Sequence, residues 1–294
     1  MGTRKTRMVL ALIALLMVIF TVLVWQNSWT SPPHYTGYGT IDLPVPIMTA
    51  MEYGAVISTH PRPYIFQVKA GAGAALLYGA EHTKDPADVQ IRDLQERWKT
   101  FGPSVALVEG RMGFLPPFVA DPVRQFGESG AVYGLARNAN IQAYTWELPL
   151  DREIAIGLSA QSRERVALFF VLRPYFSNLR HGRPADPEGF VEEYRRKRTK
   201  WPGLENTLDD IAAIDAIWQR DFPETADWRD TSDREGLPGY LGEIAVLTNA
   251  ERDEHFARAI IDLVGKGRRV FAVAGSSHVV KLEPAIRGAL TDGR

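Results

Sequence analysis

Two histidines stand in the same local format, far apart in the chain: Tyr78-Gly79-Ala80-Glu81-His82 and Ala274-Gly275-Ser276-Ser277-His278. Each Gly-x-x-His follows an apolar run, residues 74–78 in the first copy and 270–274 in the second. Runs of that length read as buried strands, and glycine lets the backbone turn sharply just past them. Each histidine therefore emerges at the C-terminal end of a strand, where open α/β sheets place ligands and chemistry. A third run, residues 105–108, delivers Glu109 in the same way, just before Gly110. Two imidazoles and a carboxylate gathered at one sheet edge make a catalytic or a metal site.

Other residues join these with less specificity. Glu81 adjoins His82 and is open to three roles: ligand, base or solvent-facing acid. Glu147 ends another strand-like run and ranks below Glu109. Arg252 lies four residues before Phe256 and eight before Ile260, so it shares the inward face of a helix. The match Thr248-Asn249-Ala250-Glu251 to a capping box places Arg252 in that helix's first turn, next to outward-pointing N–H groups. A guanidinium there binds a carboxylate or steadies an oxyanion, unless it is spent on an ion pair with Glu251 or Asp253. His255 reads as a surface or rim residue, and His34, His60 and His181 as loop residues. No Gly-x-Ser-x-Gly elbow accompanies Ser276 and Ser277, which argues against a serine nucleophile. The cationic run over residues 195–200 reads as a solvated helix face.

The elements that must position these groups alternate. A strand over residues 64–68 turns through Gly71-Ala72-Gly73 into the first histidine strand as a hairpin. Asp85 followed by Pro86 predicts a helix start, with Ile91, Leu94, Trp98 and Phe101 as its inward stripe. The Glu109 strand, a helix over 121–138 and a strand over 141–147 follow. Residues 151–240 carry helical segments broken by Pro187, Pro202 and Pro223 and no strand alternation, which predicts a helical insertion or cap. The α/β pattern resumes at 248. The expected fold is α/β: a central mixed β-sheet flanked by helices, with that insertion, over residues 61–294.

Bulk composition narrows the chemistry. The 294 residues carry a net charge of −1, so no global charge draws nucleic acid. There is no cysteine, so disulfides, thiolate nucleophiles and cysteine-ligated zinc are excluded, and a metal would need His, Asp or Glu. Arg4, Lys5 and Arg7 precede 18 uncharged residues, Met8 to Trp25. As a helix this stretch is roughly 27 Å long, enough for a bilayer core. A basic cytoplasmic tip (1–7), a transmembrane signal anchor (8–26) and a proline-rich stalk or lead-in (27–60) follow, with the remainder outside the cytoplasm. A signal anchor is preferred over a cleaved signal peptide because no Ala-x-Ala site follows.

At Tyr78–His82, Leu107-Val108-Glu109-Gly110, Glu251-Arg252-Asp253-Glu254-His255-Phe256-Ala257 and Ala274–Val279, in that order, the chain resembles the TraB/PrgY/GumN family, which includes the Tiki metalloproteases. It is similar more broadly to erythromycin-esterase-like and ChaN-like haem-binding proteins. The resemblance covers about residues 64–150 and 240–290. It implies that His82, His278 and Glu109 hold a divalent metal (Mn, Co or Zn), that Glu81 and Glu109 assist catalysis, and that Arg252 stabilises charge. Family members often carry Asn where Asp253 stands and a small or hydroxyl residue where Glu81 stands. The implied function is a membrane-anchored, extracytoplasmic, metal-dependent hydrolase acting on a peptide or a small ester. The rival readings are a metal-independent esterase with a histidine general base and a non-catalytic peptide- or haem-binding module.

Overall fold

Short runs of alanine, valine and leucine without polar interruption form the middle of a five-stranded sheet. The computed structural model describes residues 2–115, 121–232 and 236–291. The chain divides into two units, Met1–Glu147 with His255–Arg294, and Leu148–Glu254.

The sheet belongs to the first unit. Its strands are β1 (Tyr64–Ala70), β2 (Gly73–Ala80), β3 (Val105–Val108), β4 (Gln142–Thr145) and β5 (Arg269–Gly275), in the spatial order β1-β2-β5-β3-β4. β1 and β2 form the expected antiparallel hairpin, and every other pair is parallel. The sheet is therefore mixed and the fold is α/β. β2 is buried along its whole length because both of its faces are covered. Leu76, Tyr78, Val108 and Phe271 pack with α3 (Val89–Phe101) and α4 (Pro122–Asn138). Leu77, Leu107, Val270 and Ala272 pack on the opposite face with the C-terminal part of α9 (Gly239–Gly265) and with α10 (Ser276–Thr291). The exits of β2 and β3 thus lead to one face, and the exit of β5, lying between them, leads to the other. Such reversals open a crevice at the C-terminal edge of a parallel sheet.

Several local expectations shift. α3 begins three residues later than the Asp85–Pro86 signal suggests: Asp88 is its cap and accepts from Gln90 N–H. Asp85 instead closes a preceding turn by accepting from Ala87 N–H at 3.0 Å. α4 is interrupted at Gly127, whose φ of 59° suits glycine. The capping-box match at 248–251 is not a helix start, because α9 already runs from Gly239. Thr248 turns its hydroxyl back onto the Ile244 carbonyl at 2.8 Å, a bond made inside a helix rather than at its cap. Arg252 therefore sits mid-helix and has no helix N-terminus beside it.

The proline-rich segment 27–60 packs along the first unit. Backbone bonds Tyr35 N–H to Thr145 O (3.2 Å) and Thr145 N–H to Pro33 O (3.0 Å) extend the sheet past β4. Tyr35 is buried and donates to Asp262, beside Lys266. Burial, reinforced by the Asp262 carboxylate, pushes its hydroxyl up to about 12. One short helix in this segment, α2 (Ala50–Val56), starts at a Thr49/Glu52 capping box. Ahead of it, α1 (Gly2–Asn27) contains an exposed apolar stretch, Thr6–Trp25, with mean hydropathy 3.0. Among the described residues it is the one helix long and apolar enough to cross a membrane or serve as a signal anchor.

The second unit carries helices and no strand among its described residues and extends beyond the expected 151–240 at both ends. It comprises α5 (Leu150–Ala160), α6 (Arg163–Asn178), a 3-10 turn (Leu179–His181), α7 (Pro187–Arg198), α8 (Ile211–Asp221) and the first part of α9. Ser162, Asp186 and Asp210 cap α6, α7 and α8 with side-chain acceptors. Phe169, Phe170, Tyr175, Trp218, Trp228 and Leu241 lie in a core of its own.

Candidate functional site

Three strand exits meet at the C-terminal edge of the sheet. β5 passes directly into α10 at Gly275–Ser276, without a loop. Ser276 Oγ donates to the carbonyls of Gly79 (2.8 Å) and Ala80 (2.9 Å), which ties the β5 exit to the β2 exit. That bond occupies the hydroxyl structurally, in keeping with the absence of a nucleophile elbow. The Glu109 carboxylate crosses from the β3 exit and accepts the Gly275 N–H at 2.7 Å. Its own N–H donates to Ser129 Oγ at 3.2 Å.

His82 reaches the same point. A Cβ built on Gly275 would lie 3.1 Å from His82 Nε2 and 3.9 Å from Glu109 Oε2. Glycine at 275 therefore leaves a hollow between the imidazole and the carboxylate. The other ring nitrogen, Nδ1, lies 3.6 Å from Glu128 Oε2, an ion-pair distance rather than a hydrogen bond. Glu128 is buried, and its second oxygen accepts the Thr83 N–H. Neighbouring Gly127 makes this possible: its left-handed backbone sets the kink in α4, and its Cα lies so close to the Thr83 carbonyl that a Cβ would approach to 2.8 Å. Sequence reading missed Glu128, which looks like one acid in a continuous helix. The signal that could have found it is the glycine pair around Gly127-Glu128-Ser129-Gly130.

His278 lies in the first turn of α10, its ring 5.3 Å from the fully buried Trp146. Trp146 donates from Nε1 to Val273 O at 3.1 Å and stacks on Phe256 at 4.3 Å, so His278 rests on a rigid aromatic pair. Glu147 clasps the β3 exit by accepting Gly110 N–H at 3.2 Å. Its carbonyl lies 2.7 Å from Nδ1 of His34, which adjoins the sheet edge rather than a remote loop.

The remaining candidates fall elsewhere. The Glu81 carboxylate is 55% exposed and lies 3.7 Å from Arg62, so of its three open roles it occupies the solvent-facing one. His255 is not a rim residue: it is buried, with Nδ1 2.5 Å from Tyr38 OH. Arg252 belongs to the second unit, where it is buried and donates to Asn249 Oδ1 at 3.0 Å. Arg173 donates to the same oxygen at 3.4 Å and pairs with buried Glu153 at 2.9 Å. Glu251 pairs with Arg152.

The arrangement also tests the implied metal. Among the described residues, no three His, Cys, Asp or Glu side chains close into a group that could hold an ion. Glu109 presents Oε2 to a backbone N–H, and His278 is set against Trp146. These donors as placed do not fit a divalent ion.

No family model, curated protein or solved structure matches this chain. The edge sets an imidazole between a buried carboxylate and the Gly275 backbone that a second carboxylate holds.

Proposed function

We propose that the protein is a membrane-anchored hydrolase of the extracytoplasmic face, acting on a peptide or small ester, with His82 as general base. The observation that carries this reading is the placement of His82, with Nδ1 toward buried Glu128 and Nε2 toward the hollow at Gly275. Glu128 favours the tautomer with the proton on Nδ1, the form in which Nε2 is the basic nitrogen. Glu109 fixes the β5–α10 turn, whose first N–H groups have no helical acceptors and can meet a developing oxyanion. α1 supplies the anchor, with the basic residues before it facing the cytoplasm. The likeness to the TraB/PrgY/GumN family supports hydrolysis as the reaction class.

The test uses the purified full chain with a fluorogenic peptide library and p-nitrophenyl acetate. Hydrolysis is expected and is lost in His82→Ala. Activity that persists in EDTA supports the metal-free base. Activity lost in EDTA and restored by Mn, Co or Zn overturns the metal-free base and returns the metallohydrolase expected from the sequence. No turnover of either probe overturns both.

A further inference from the structure

The base of α1 and the loop leaving β3 are stitched together. Trp29 N–H donates to Leu115 O at 2.9 Å, and Leu115 N–H returns a bond to Trp29 O at 3.2 Å. Ser31 Oγ donates to the Met112 carbonyl. The Trp29 ring packs edge-on to Tyr133 at 5.3 Å, which roots the junction on α4. Within the loop Met112 and Leu115 are buried, yet Phe114 between them is 56% exposed. Its ring centroid lies 6.2 Å from that of Trp25, itself 74% exposed and the last residue of the apolar stretch.

A single exposed aromatic needs no explanation. Two exposed rings in contact at the very end of a membrane-length apolar helix have the composition of a bilayer interface, where large rings sit at headgroup level. We propose that Phe114 and Trp25 form an interfacial foot seated in the headgroup layer of the bilayer that α1 crosses, so the β3 exit loop is a second membrane contact. The occupant is lipid, because the foot is continuous with the surface α1 presents to the hydrocarbon. This inference rests on the reading of α1 as an anchor. Its consequence concerns the site. Glu109 precedes Phe114 by five residues (114 − 109), and an extended chain of that length spans at most about 18 Å. The strand edge is thereby tethered near the membrane surface, and the substrates it meets are those presented there.

The chain has no cysteine, so single cysteines report position without background. The full chain carrying Phe114→Cys, Leu16→Cys or Lys99→Cys, labelled with the environment-sensitive dye NBD, is reconstituted in phosphatidylcholine/phosphatidylglycerol vesicles. Leu16 marks the span, and Lys99 is an exposed residue on α3. Dye at 114 and 16 is expected to emit blue-shifted, to be quenched several-fold more by a lipid-borne nitroxide than dye at 99, and to resist iodide. If 16 is in lipid while 114 behaves like 99, the foot is overturned and the anchor stands. If 16 is also open to iodide, the anchor reading fails and the foot with it. If 114 resists both quenchers and cross-links between copies, a second chain covers it and the lipid assignment is overturned.

Discussion

The two units handle charge in opposite ways. At the sheet edge the acids are held by backbone: Glu109 by Gly275 N–H, Glu128 by Thr83 N–H and Glu147 by Gly110 N–H. In the helical unit the acids are held by arginines, as in Asp215–Arg229, Asp221–Arg220 and Glu192–Arg195. A backbone N–H fixes where a carboxylate sits, so these bonds set the geometry of the edge. A guanidinium satisfies the carboxylate and neutralises the pair, which leaves a contribution to stability. Mutations at the edge should therefore change turnover of the hydrolysis probes, and mutations in the helical pairs should change unfolding.

The sharpest break of this contrast is Gly275→Ala. Its added methyl would enter the hollow 3.1 Å from His82 Nε2. Turnover of the peptide or ester probe is expected to fall about 10²-fold, the scale at which a misplacement near 1 Å acts, while the helical circular dichroism is retained. Unchanged turnover would place the chemistry away from this hollow.

Next is Asp215→Ala in the helical unit. Burial alone would raise this carboxyl, but hydrogen bonds from Arg229 and Trp228 hold it below its ordinary value. Asp215 accepts from Arg229 through both oxygens, at 2.8 and 2.9 Å, and from the indole of buried Trp228 at 2.9 Å. Truncation leaves that indole without its acceptor, so urea unfolding should report a loss of about 1–3 kcal/mol. Turnover per folded molecule should stay as in the parent.

Glu128→Gln probes the same contrast from the edge. The amide oxygen can still accept Thr83 N–H, so the fold is kept while the charge facing His82 is removed. A roughly 10-fold loss of turnover is expected, in line with the removal of a group that orients a working histidine. Restoration by Glu128→Asp, with no change in thermal midpoint, would separate positioning from packing.

What could be read in the sequence follows the same division. β2, β3 and β5 were legible because each is a short apolar run ended by glycine or a polar residue, and their exits named His82, Glu109 and His278 directly. The hairpin and the stripe of α3 were legible for the same reason, since periodicity records burial. Glu128 was not, because its role depends on the left-handed backbone at Gly127 and on a contact with Thr83, 45 residues earlier. The start of α9 was misread at Thr248, whose hydroxyl serves a carbonyl behind it rather than an N–H ahead. The lead-in looked loose because proline hides its pairing, which runs through the backbone of residues 33–35.

The smallest effect concerns Glu192. Hydrogen bonding from Arg195 dominates, burial opposes it, and Arg196 adds to it; together they hold the carboxyl down to about 2. A folded value below the ordinary one of 4.5 means that the pair's contribution is complete above that value and is lost as pH falls from there toward 2. The pair is partly open to solvent and spans a single helical turn, so its worth is only a few tenths of a kcal/mol. Glu192→Gln should unfold at slightly lower urea than the parent at pH 7, and the gap should close as pH falls to about 2. Turnover at pH 7 should be untouched. A gap that widened with acid would mean that the arginines around Glu192, rather than the carboxylate, limit the stability of this helix.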